Sequence, residues 1–134
     1  MSGNVERLRE AYGALNRGEW DRSGEFMHAD ISWHFVEGQG PDAPETLRGP
    51  SEIVDFWSSF FAAWEEWEMA PQDFVEAPGG QILVSVHFRA RGVGSGFPMK
   101  LDYWQVITMR DGKVLRVDNY LSRPRARQAC GLEE

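Results

Sequence analysis

Apolar and polar residues alternate along two arms of residues 100–123, joined at Arg110-Asp111-Gly112, and this pattern predicts a β-hairpin. On the first arm Tyr103, Gln105, Ile107 and Met109 share one face, and Trp104, Val106 and Thr108 the other. Two registers compete. A two-residue turn at Asp111-Gly112 sets Gln105 opposite Asp118 and scatters Arg116 and Asp118 among apolar residues. A three-residue loop with Gly112 as a bulge residue sets Gln105 opposite Val117. It gathers Ile107, Met109, Leu115, Val117 and Leu121 on one face. A slip of one residue exchanges every side chain between faces, so the apolar pattern selects the bulged register. The inner face is then Tyr103, Gln105, Ile107, Met109, Leu115, Val117, Asn119 and Leu121. The outer face is Asp102, Trp104, Val106, Thr108, Arg116, Asp118 and Tyr120.

Elsewhere the spacing predicts a helix over residues 5–16, with Val5, Leu8, Ala11, Tyr12 and Leu15 on one stripe and Gly18 ending it. A short second helix is expected over residues 20–28, and a strand over 31–36 with Trp33 and Phe35 on one face. Residues 38–49 read as a loop, long enough to form a lid or rim. Pro50 opens a helix at its preferred first position. Its stripe of Ile53, Phe56, Trp57, Phe60, Phe61 and Trp64 is unusually aromatic. A strand begins near residues 65–69, and Phe74 and Val75 precede a turn at Pro78-Gly79-Gly80. In the strand over residues 81–91, Val84, Val86, Phe88 and Ala90 alternate with Ser85, His87, Arg89 and Arg91. Residues 92–98 form another turn, and the polar tail 123–134 is expected to fray. Helices first and antiparallel strands after predict an α+β fold, with helices on one face of a bent sheet.

Composition narrows the partners. A chain of 134 residues is enough for one domain, 1–134, with a real core. The net charge of −7 disfavours nucleic acid and anionic membrane surfaces as partners. The single Cys130 has no internal disulfide partner and reads as an idle free thiol. The N-terminus lacks an apolar signal core and no stretch is long enough to span a bilayer, so a cytoplasmic location is the default expectation. The six Trp stand out. They either fill core and interface or line a cavity for an apolar ligand.

The order of elements, carried by AYGALNRGEWD, HADISWHF, LRGPSEIVDFW, VHFRARGVGSG and ITMRDGKVLRVDNYL, resembles the SnoaL-like branch of the NTF2-like superfamily. The resemblance implies a cone: a curved antiparallel sheet wrapped around N-terminal helices, with a deep apolar pocket. It also implies a homodimer through the outer sheet face and no cofactor. Members include polyketide cyclases, ketosteroid isomerases, limonene epoxide hydrolases, dehydratases and proteins that only bind or assemble, so fold alone does not give function. In the isomerases a first-helix Tyr and a strand Asp hold the substrate oxygen while a second Asp moves the proton. Those positions fall on Ala11, Gln105 and Phe35. The His and Asp of SnoaL-type cyclases fall on Gln105 and Asn119, and the last-strand Asp of the epoxide hydrolases also falls on Asn119.

Amides hydrogen-bond but exchange no proton near neutral pH. Gln105 and Asn119 are therefore either a satisfied polar pair or a device that orients a ligand oxygen. The expected pocket is lined by Trp33, Phe35, Trp57, Phe61, Val86, Phe88, Gln105, Met109, Val117 and Asn119. Binding of a small, mostly apolar molecule is the leading functional expectation. A cofactor-independent isomerase, cyclase or hydrolase would need a shifted acid–base site at Glu37, Tyr12 or Tyr103. A dimeric assembly module is the third reading. Alternation sends His87, Arg89, Trp104, Asp118 and Tyr120 outward, where they serve as surface or homodimer contacts. His28, His34 and His87 show no metal-ligand spacing, and no phosphate loop or nucleophile motif is present.

Overall fold

The computed structural model describes residues 3–36, 46–94, 96 and 98–132. Its elements run α1 (Gly3–Asn16), α2 (Trp20–Glu25), β1 (Met27–Phe35), β2 (Thr46–Arg48), α3 (Pro50–Phe61), β3 (Trp64–Glu76), β4 (Ile82–Gly92), β5 (Pro98–Arg110), β6 (Lys113–Tyr120) and α4 (Arg123–Ala129). The six strands of the described residues form one curved, unclosed sheet in the order β2-β1-β6-β5-β4-β3. Among the described residues only β1 and β6 pair in parallel; every other neighbouring pair is antiparallel. The α+β arrangement expected from the sequence is the one found. The core lies between the inner sheet face and α1, α2 and α3.

Local sequence accounts for most of these elements. Leu8, Tyr12 and Leu15 give α1 a buried stripe, and Gly18 ends it in the left-handed region at φ 68. Pro50 starts α3, and Ile53, Trp57 and Phe61 are its buried positions. Behind that helix the rings of Phe61 and Trp67 stack at 3.8 Å between centroids. Among the described residues no helix is long and apolar enough to cross a membrane.

Five details differ from the sequence reading. The second helix stops at Glu25, and residues 27–30 are already strand, because Met27 pairs with Val114 of β6. Part of the expected loop, Thr46–Arg48, is the edge strand β2, antiparallel to Ser32–His34 of β1. Trp64 opens β3 instead of closing the stripe of α3. β3 then runs unbroken to Glu76 despite Pro71, which is tolerated because β3 lies at the sheet edge and its register shifts between Pro71 and Asp73.

The hairpin register is the fourth difference. Arg110 pairs with Lys113, so the turn has two residues, and Asp111 (φ 54) and Gly112 (φ 76) both take the positive φ that a type I′ turn requires. The extra residue sits in β6 instead. Met109 pairs with Val114 but Thr108 with Arg116, leaving Leu115 as the bulge. Beyond it Ile107 faces Val117 and Gln105 faces Asn119, not Val117. Val114 is buried in place of Leu115, and Leu121 is 38% exposed.

The fifth is the tail, which does not fray but folds as α4. Ala126, Cys130 and Leu132 pack on the outer sheet face against Leu83, Val106, Trp104 and Tyr120, forming a second apolar cluster. The Cys130 thiol is buried there and donates to the Ala126 carbonyl at 3.4 Å; burial pushes its pKa up.

Candidate functional site

The inner face of β5 and β6 presents two amides to α1. Tyr12, one helical turn beyond Leu8, is carried by α1 onto β5, where its hydroxyl donates to Gln105 Oε1. Gln105 Nε2 donates to Asn119 Oδ1 at 3.1 Å, across the directly paired positions of the hairpin. This orders three buried side chains in one direction, Tyr12 to Gln105 to Asn119. The chain ends on Asn119 Nδ2, which is buried and has no partner among the described residues. Tyr103 Oη, two residues from Gln105 on the same face, is also buried without a partner among the described residues, as are the indole nitrogens of Trp33 and Trp57. Each of these groups is a donor, and an unmade buried hydrogen bond costs about 1–3 kcal/mol.

Among the described residues, two partly open cavities flank this chain. The first, about 60 Å³, lies between α1, α2 and the sheet, with Leu8, Ala11, Tyr12, Phe26, Trp33 and Gln105 among its walls. The second, about 30 Å³, is bounded by Trp57, Phe60, Phe88, Leu101, Tyr103 and Asn119. Met69 of β3 lines both. Burial pushes the Tyr12 and Tyr103 phenols well above the usual tyrosine range, and the nearby Tyr12 phenol adds to the effect on Tyr103. Both stay protonated through neutral pH. No Asp, Glu, His, Lys, Arg or Cys among the described residues lines either cavity. These walls can therefore donate hydrogen bonds and offer apolar contact, and they hold no described group that takes a proton near neutrality. No group of three or more metal-ligating side chains occurs among the described residues.

The expected pocket residues divide three ways. Trp33, Gln105 and Val117 line the first cavity, while Trp57, Phe88 and Asn119 line the second. Phe35, Phe61 and Val86 are buried but line neither, and Met109 packs half-buried at the core's edge. Glu37 lies outside the described residues. The phenol that reaches the hairpin is Tyr12, one residue beyond Ala11, on which the resemblance sets the isomerases' first-helix Tyr. Met69, Leu8 and Phe26 were not anticipated as lining; the amphipathic stripe of the first helix was the available signal for Leu8. On the outer face His87 pairs with Asp102 at 2.7 Å and Arg89 with Glu68 at 2.8 Å. Asp118 is buried and accepts from Arg116 at 3.1 Å. Trp104 and Tyr120, expected as interface contacts, pack against α4 of the same chain.

Residues 8–117 match the family profile described as a SnoaL-like domain. No curated protein matches the chain at a significant level. Among solved structures, TerC co-crystallized with polyporic acid is 24% identical, with 97% of this chain and 99% of that chain covered and a TM-score of 0.77. An NTF2-like protein of unknown function from Burkholderia pseudomallei K96243 is 23% identical, with 97% and 98% covered and a TM-score of 0.78. The epoxide hydrolase/cyclase-like enzyme SalBIII, of pyran ring formation in the polyether salinomycin, is 15% identical, with 90% and 91% covered and a TM-score of 0.73. At such identities the likeness to the solved structures is one of fold. Taken with the profile match, it shows that the chain belongs to the SnoaL-like family and has the NTF2-like fold.

Proposed function

We propose that the protein binds a small, mostly apolar molecule carrying a hydrogen-bond-accepting oxygen, held between α1, α3 and the inner sheet face. The observation that carries this is the direction of the Tyr12–Gln105–Asn119 chain, which ends on an unused amide donor beside the unused Tyr103 hydroxyl. Gln105 already supplies a donor to Asn119 Oδ1, whereas Asn119 Nδ2 is the atom still unsatisfied among the described residues, so what the amide chiefly offers a ligand is hydrogen. A carbonyl or ether oxygen satisfies such a group, whereas an alcohol in its donor role does not. The aromatic walls supply the apolar contact. That a protein of the same fold has been crystallized with polyporic acid is compatible with an interior of this kind.

A matched series of 1-indanone, 1-indanol and indane, titrated by calorimetry, tests the reading. The ketone is expected to bind most tightly, by about tenfold over the hydrocarbon, since one satisfied buried donor is worth about 1–3 kcal/mol. Asn119→Leu should erase the preference. Absence of binding by all three, or a preference for the alcohol, would refute it. The homodimer implied by the resemblance belongs to the same proposal. Its contact would use the outer face left clear by α4, around His87 and Arg89, and sedimentation velocity reads it.

A further inference from the structure

We infer that Met69 is the movable partition of the interior and sets the length of ligand it admits; this rests on the binding function proposed above. Three contacts stand between the two cavities. One is the Trp33–Trp57 pair, whose centroids are 5.4 Å apart, with one ring lining each cavity. Another is the Gln105–Asn119 hydrogen bond, again with one partner on each side. The third is Met69, 1% exposed and lining both. The indoles are bulky, buried and locked among other rings. The amides are tied to each other and to Tyr12. The Met69 side chain makes no hydrogen bond in the described structure and is unbranched, with three rotatable bonds, which makes methionine the most adaptable filler of a core.

The backbone at this position stays put. Met69 pairs with Phe88 of β4 on one side. On the other, Asn16 at the end of α1 closes a two-bond clamp: Met69 N donates to Asn16 Oδ1 at 2.8 Å, and Asn16 Nδ2 donates to the Met69 carbonyl at 2.9 Å. An opening between the chambers therefore comes from side-chain rotation. Separately the cavities, at about 60 and 30 Å³, hold a few atoms each. Without the Met69 thioether they join into a space comparable with the engineered ~150 Å³ cavity known to take benzene. A ligand that spans both chambers must wait for the minority rotamer, and its apparent affinity falls by the fraction of molecules that have it.

Benzene is the probe, because it carries no oxygen and so reports the partition independently of the donor chain. Met69→Ala is expected to bind benzene about tenfold or more tightly than the unaltered protein. Methyl NMR signals of Leu8, on the first chamber, and Leu101, on the second, should both shift. Should Met69→Ala fail to fold, Met69→Val keeps a strand-compatible side chain and is expected to show a smaller gain in the same direction. Equal benzene affinity in folded variant and unaltered protein, or shifts confined to Leu8, would overturn the partition. Loss of the ketone preference with the benzene result intact would sink the binding function alone.

Discussion

Replacing Tyr12 by Phe removes one oxygen and nothing else from the centre of the molecule. The ring stays, with its edge-on contact to Phe74 at 6.2 Å, so the apolar packing is retained. What is lost is the only described donor to Gln105 Oε1, in a side chain 1% exposed. A buried acceptor deprived of its partner costs about 1–3 kcal/mol. With an unfolding entropy of roughly 2.1 cal/mol/K per residue, each kcal/mol lowers Tm by about 3–4 °C in a chain of 134 residues. A fall of about 4–10 °C is therefore expected. Gln105→Met should cost at least as much, because it strands both the Tyr12 hydroxyl and Asn119 Oδ1. The double variant should be less damaging than the sum of the singles by about 1–3 kcal/mol, since each change removes the group that the other leaves unpaired. Equilibrium urea denaturation followed by Trp fluorescence, with unchanged m-values, measures all four corners of this cycle. If Tyr12→Phe stays within about 0.3 kcal/mol of the parent and the cycle is additive, the hydroxyl–amide bond is not made and the directed chain does not exist.

Two further outcomes are expected. His34 is half-buried, with its ring bonded to Ser32 and Thr46; burial first, then Arg116 and Arg48, lower its pKa against the opposing pull of Asp118. The unfolded chain takes up that proton first, so this contribution is present above about pH 6.5 and is lost as pH falls. Denaturation midpoints from pH 7.5 to 5 should fall less steeply in His34→Gln, and parallel curves would contradict the assignment. Ala126, fully buried where α4 meets the sheet, should not tolerate an unpaired carboxylate. Ala126→Asp is expected to lower stability by about 2–4 kcal/mol in thermal unfolding, and an unchanged Tm would mean that α4 does not cover this face.

The hairpin shows how far a sequence pattern reaches. The alternation placed Gln105, Val117 and Asn119 on the inner face correctly while mispairing them. An extra residue in the turn and an extra residue at Leu115 give the same parity beyond the bulge, and a period of two conceals a displacement of two. The residues between the two possible bulge positions expose the difference: Val114 is inside, and Leu115 is not. Likewise the tail is polar enough to look loose, yet Ala126, Cys130 and Leu132 form a stripe that becomes visible only once Trp104 and Tyr120 are there to receive it.

Periodicity by itself determined the α+β class, the aromatic stripe of α3, and the inward side of the strand residues away from the Leu115 bulge and the end of β6, because these depend on neighbours a few positions away. The tertiary structure decided what meets those residues. Tyr12 and Gln105 are 93 positions apart, and Asn16 and Met69 are 53 apart. Nothing in the local pattern of either segment selects the other. Their meeting is set by how the helices pack across the curve of the sheet, and that packing creates both the donor-ended chain and the partition beside it.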